Sequence, residues 1–84
     1  MKIRFIDDVV VTLVRISHNI DECIDNIIIR IKKGATPTIN RVERGEKRKS
    51  TRLNKLYVDT DQYAFCYLDN VPENSYEILN EEDN

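Results

Sequence analysis

The chain has no tryptophan, one histidine, one methionine, and only two each of glycine, proline and cysteine among its 84 residues. Each scarcity narrows the chemistry. A Ser-His-Asp or Cys-His relay would have to pass through His18, which sits beside Asn19 at a predicted element boundary where a polar residue is expected on structural grounds alone. Cys23 and Cys66 are far apart and outside any Cys-x-x-Cys spacing, so neither zinc nor dithiol chemistry is indicated. They are expected to be reduced thiols behaving as small buried hydrophobes in a cytosolic protein. Long apolar runs are missing too. Lys2 and Arg4 precede an apolar stretch in the manner of a signal peptide, but Asp7 and Asp8 interrupt it and Arg15 ends it. Nothing approaches the length needed to span a bilayer. The expected compartment is the cytoplasm of the producing or host cell.

Bases are absent from Val58 to the end, where eight acids stand alone. From Arg30 to Lys55, by contrast, ten bases face two acids, and Met1 to Ile29 carries three bases and five acids. The net charge of -2 therefore hides blocks of minus two, plus eight and minus eight. Such sorting bears on partners and on orientation in a field, and says little about fold.

A chain this short forms one modest core, burying roughly 60–65% of its unfolded surface, so self-association would help it. The reading is a single small domain over 1–79 with a flexible acidic tail over 80–84. An α+β fold is expected, with one main helix over about 20–33 packed on a small antiparallel sheet. Asn19 with Glu22 resembles a capping box, Lys32 and Lys33 precede Gly34, and Ile20, Cys23, Ile24, Ile27, Ile28 and Ile31 make an apolar stripe at helical spacing. The alternative is one long helix over 7–33 with a C-terminal hairpin, because Ile6, Leu13, Ile20 and Ile27 recur in heptads. The β-branched run of Val9, Val10, Val11, Thr12, Val14 and Ile16 favours a strand instead, paired with 2–6 across a turn at Asp7 and Asp8.

Pro37 marks a connector after Gly34. Residues 39–52 read as a polar hairpin turning near Gly45, or as an exposed loop. Leu53–Val58 and Tyr63–Leu68 read as a hairpin with Val58 opposite Tyr63 and Leu56 opposite Phe65. Tyr63, Phe65 and Tyr67 then share one face, and Ala64, Cys66 and Leu68 the other. Ser75–Leu79 is a candidate edge strand. The segment Tyr57-Val58-Asp59-Thr60-Asp61 resembles the aromatic-x-Asp-Thr-Asp motif that carries metal-binding aspartates in family B DNA polymerases. The likeness covers only this hairpin, has Val58 where the family has glycine, and comes without the family's further acidic and basic motifs. Both aspartate pairs, Asp7 with Asp8 and Asp59 with Asp61, are read as turn residues. No catalytic set, metal site or cofactor is expected, and the protein is not read as an enzyme.

Two binding surfaces are expected in its place. Arg41, Arg44, Lys47, Arg48, Lys49, Arg52 and Lys55 can meet phosphates or an acidic protein, and Tyr63, Phe65 and Tyr67 add a platform for stacking bases. Asp69, Glu73, Glu77, Glu81, Glu82 and Asp83 form an acidic partner surface. Exposed ion pairs contribute only about 0–1 kcal/mol each, so charge steers and apolar anchors hold. The functional reading is a non-enzymatic protein-binding module, a small regulatory or inhibitory accessory protein of the kind phages and mobile elements carry, by analogy of type. It is expected to form a homo-oligomer, a dimer, through its Ile-rich N-terminal half. The alternative is a nucleic-acid-binding protein using 41–55.

Overall fold

The computed structural model describes residues 1–19, 22–60 and 64–79, the side chains of 59 and 60 excepted. Eight strands follow one another: β1 (Lys2–Phe5), β2 (Val9–Ser17), β3 (Cys23–Ile31), β4 (Arg41–Glu43), β5 (Lys47–Arg48), β6 (Thr51–Thr60), β7 (Ala64–Pro72) and β8 (Tyr76–Leu79). A single 3₁₀ turn, Glu73–Ser75, separates the last two. There is no α-helix among the described residues. The expected helix over 20–33 is thus overturned, as is the longer alternative over 7–33. Residues 23–31 are a strand, and Ile20 lies outside the described residues. The cause is the side chains themselves. Ile24, Ile27, Ile28, Ile29 and Ile31 are all β-branched and stiff at χ1, which favours the pleat over the helix turn. The supposed cap closes a hairpin instead. The Ser17 amide donates to the Glu22 carbonyl at 2.9 Å, and the Asn19 amide donates to Ser17 Oγ at 3.2 Å.

The main sheet is antiparallel and runs β3-β2-β7-β6-β4, with β5 pairing separately on β6. One cross-strand row is Val42, Leu56, Leu68, Leu13 and Ile27. Of these, Val42, Leu56, Leu68 and Leu13, with Val9, Val11, Ile29 and Ile31, pack in the core, while Ile27 shares their side of the sheet but stays exposed. The adjacent row is Arg41, Tyr57, Tyr67, Val14 and Asn26, which points the other way.

A two-stranded ribbon of β1 and β8 covers the core side. Its alternation explains the role. Ile3 and Phe5 are fully buried, while Lys2 and Arg4 turn outward. The outer edge of β1 is closed by the connector after β3: the Ile3 amide donates to the Pro37 carbonyl, the Phe5 amide to Ala35, the Gly34 amide to Phe5 and the Ile39 amide to Met1. Ile39 itself is fully buried, joining Ile3, Phe5, Leu56 and Val71 in the core. Each such side chain contributes about 1.5–3 kcal/mol on leaving water.

Other expectations shift in register. Residues 2–5 of the expected segment 2–6, and all of 9–16, are strand, but the two do not pair with each other; β1 pairs β8, and β2 lies between β3 and β7. The turn between them is held from afar, since Asp8 Oδ1 accepts the Lys33 amide at 2.7 Å. The polar hairpin turns at Lys49, which takes φ 56°, and not at Gly45. β6 runs on to Thr60, so Phe65 lies opposite Thr60 and Leu68 opposite Leu56. Tyr63 and Asp61 lie outside the described residues. So do Glu81, Glu82 and Asp83 and the whole 80–84 segment.

Candidate functional site

Among the described residues, no element covers the face of the sheet opposite the β1–β8 ribbon. On its β6–β7 half, three rings meet. Tyr57 and Tyr67 have centroids 5.2 Å apart, Tyr57 and Phe65 5.8 Å, and Phe65 stacks on Tyr67 at 6.2 Å with an interplanar angle of 22°. His18, at the β2–β3 turn, extends the group to 5.2 Å from Phe65. All three of Tyr57, Phe65 and Tyr67 are half-buried. They sit together because β6 and β7 present alternate residues to this face and the register sets Tyr57 directly opposite Tyr67.

Cations frame the rings. The Arg41 guanidinium carbon lies 3.9 Å from the Tyr57 centroid, and Lys55 Nζ lies 5.1 Å from that of Tyr67. These are cation–π distances. Glu43, between them on β4, accepts the Tyr57 hydroxyl at 3.2 Å and reaches Arg41 at 4.0 Å. Burial first, and then the Glu43 carboxylate, push the Tyr57 phenol above its ordinary value. Burial and the Asp69 carboxylate do the same to Tyr67. Both phenols therefore stay neutral donors over a wider range of pH than a free tyrosine.

Two grooves adjoin the rings. One, about 290 Å³, is lined by His18, Asn40, Arg41, Tyr57 and Phe65. The other, about 490 Å³, runs past Lys55 to Arg48, with Glu43, Glu46 and Asp69 also on its walls. A path of rings and cations thus leads from His18 to the β5–β6 hairpin.

The basic block predicted from the sequence is divided by the fold. Arg41 and Lys55 join the rings. Lys47, Arg48 and Lys49 lie exposed on the hairpin, with no carboxylate partner among the described residues. Arg44 and Arg52 are drawn elsewhere. Glu73 accepts from Arg44 Nε at 2.9 Å and stands 3.9 Å from Arg52, whose Nη1 donates to the Gly45 carbonyl at 2.8 Å. Arg44 and Asn54 hydrogen bonds hold the Glu73 carboxyl below the usual range. Glu77 pairs with Arg4 at 3.4 Å on the ribbon. The acidic surface is therefore not one patch. Asp69 edges the groove that holds Lys55 and Arg48 and accepts the Asn70 amide at 2.9 Å, while Glu73 and Glu77 neutralise bases on the flank and the covered side.

Of the expected platform residues, the structure brings Phe65 and Tyr67 together. Tyr57, the third ring, was missed. Its signal was available: alternation from Lys55 to Tyr57 beside a β7 strand with rings at the same spacing. Cys23 is exposed and Cys66 half-buried, and neither is in a disulfide, so the expectation of two buried thiols fails for Cys23. Among the described residues, no three His, Cys, Asp or Glu side chains converge as metal ligands. Among the described residues no helix is long and apolar enough to cross a membrane. Compared with protein-family models, curated proteins and solved structures, the chain matches none.

Proposed function

We propose that this protein is a binding protein for single-stranded nucleic acid, working through the uncovered face of its sheet and performing no reaction of its own. The observation that carries the reading is the cluster of Tyr57, Phe65 and Tyr67 with Arg41 and Lys55 set against its rings. Every base offers a π-face, so stacking on such rings is tolerant of sequence, and nearby cations follow the phosphates. Lys47, Arg48 and Lys49 extend the charge beyond the rings along the groove that contains Arg48 and Lys55. Glu43, Glu46 and Asp69 in the same walls disfavour a tightly held backbone and favour contact through bases.

The second reading, a regulatory or inhibitory protein-binding module, draws support from a different part of the face. On the β2–β3 half, Val10 and Ile28 are 58% and 75% exposed, which is aliphatic surface of the kind partners cover. Charge segregation gives it less support than the sequence promised, because Glu73 and Glu77 already meet Arg44, Arg52 and Arg4.

Fluorescence anisotropy with labelled oligothymidine and oligouridine tests the first reading. Binding is expected at low salt, falling with a log–log slope of about −0.7 for each phosphate neutralised. Phe65→Ala or Tyr57→Ala should weaken it by about 1–3 kcal/mol per lost stacking base. Arg4→Ala, on the covered side, should leave it unchanged. No binding at low salt, or binding indifferent to Phe65→Ala, would overturn the reading.

A further inference from the structure

The β3 strand ends the main sheet. It pairs with β2 on one side, and among the described residues no strand lies on the other. Such an edge presents alternate amides and carbonyls without partners, and natural sheets blunt it with shortness, proline, bulges or charge. Here the edge is long. It has nine residues, no proline, and its single irregularity lies at the Cys23 end, where Ile16 pairs Cys23 and Arg15 pairs Asp25. From Asp25 to Ile31 the pairing with β2 is regular. Between Asp25 and Arg30 lies the uncharged run Asn26-Ile27-Ile28-Ile29. Ile27 is 52% and Ile28 75% exposed.

We infer that this edge binds the same edge of a second copy, antiparallel, about a rotation axis normal to the sheet and passing at Ile28. Such an axis keeps each face of the sheet on its own side. Facing residues must then both be even-numbered or both odd-numbered, and among the registers this permits, the one centred on Ile28 uses the regular segment from end to end. On the uncovered face Ile28 meets Ile28 of the second copy, and Asn26 meets its Arg30. On the core face Ile27 meets Ile29, and Asp25 meets Ile31. No like charges stand opposite each other, and Asn26 Oδ1 can accept from the Arg30 guanidinium. Direct cross-strand neighbours of this kind interact favourably, and like charges there would not. The second copy is the occupant because this strand is complementary to itself and the resulting contact closes on two subunits. The inference does not depend on nucleic-acid binding.

The test is light scattering with analytical ultracentrifugation across a wide protein concentration range. Wild type is expected as a dimer. Ile28→Lys, at an exposed position, should return a monomer with unchanged circular dichroism, while Val10→Lys, on the same face but one strand inward, should remain dimeric. Amide exchange supplies the second readout: alternate amides within 25–31 should slow as concentration rises. A monomer at the highest concentration would overturn the inference. So would loss of the dimer in both variants, which would mean that faces stack instead of edges pairing, or 25–31 amides whose exchange ignores concentration.

Discussion

A methyl group added at position 45 would overlap the carbonyl oxygen of Leu53. The chain crosses itself there because Gly45 is held from both ends, its amide donating to Asn54 Oδ1 and its carbonyl accepting from Arg52. Asn54 is fully buried, and its Nδ2 donates to Tyr76 Oη at 2.8 Å and to Glu73 Oε2 at 3.3 Å. A buried amide so connected is cheap to keep and costly to orphan. Gly45→Ala is therefore expected to cost more than about 1 kcal/mol in urea unfolding, since backbone must move. Gly34 differs in kind. It has φ 95° and open space around it, so alanine there is opposed by conformation alone, at about 1–2 kcal/mol. From the sequence the hairpin turn is expected near Gly45, but the structure places it at Lys49, and no sequence signal hints at a close approach at Gly45. That contact joins the β4–β5 link to Leu53, and no local pattern shows it. Tyr57 shows the same limit from the other side: its alternation was readable, yet its place among the rings depended on a register that ends at Thr60 and not at Val58.

At the level of elements, the Glu73 clasp makes a stability claim with a definite sign. Its carboxyl is held below the usual value by hydrogen bonds from Arg44 and Asn54. A depressed acid contributes stability above its unfolded value, and the contribution disappears as pH falls through the folded one. Acidification below the ordinary glutamate range is thus expected to loosen the 3₁₀ turn from the β4–β6 side, and Glu73→Gln should remove that pH dependence, both read from the amide shifts of Arg44, Gly45 and Asn54. The carboxyl is exposed, so the effect belongs to the link between elements more than to global unfolding. The strands themselves were partly legible. β-Branching identified β2 correctly as extended, yet the same property in Ile24, Ile27, Ile28, Ile29 and Ile31 was outweighed by an apolar stripe at helical spacing and by Asn19 and Glu22 in capping positions. An isoleucine-rich strand exposed on both faces satisfies a helical template by sheer apolar density. Period alone cannot then decide, and χ1 stiffness was the better guide. That β1 pairs β8, across almost the whole chain, had no local signal at all.

At the scale of the whole sheet the described residues are asymmetric: one side is sealed by a thin ribbon and the other is left bare. So thin a cover makes the fold sensitive to single anchors. Phe5, fully buried and edge-on to Tyr76 at 6.1 Å, is the largest of them. Phe5→Ala is expected to cost about 3–5 kcal/mol, a large share of the roughly 5–15 kcal/mol that holds a domain folded, and a lowered urea midpoint would register it. Which side would be sealed was not legible in the sequence, since both faces of β2 carry aliphatic side chains, Val9, Val11 and Leu13 on one and Val10, Val14 and Ile16 on the other. The bare β3 border has a consequence for valency. Joined border to border, two subunits would look in the same direction, because rotation about the sheet normal turns neither over. Their ring clusters would then form a bipartite landing strip, and an oligonucleotide long enough to reach both would gain avidity that a short one cannot, its second engagement being intramolecular. Affinity plotted against oligonucleotide length would then rise in a step, and Ile28→Lys would flatten the step without touching a single ring.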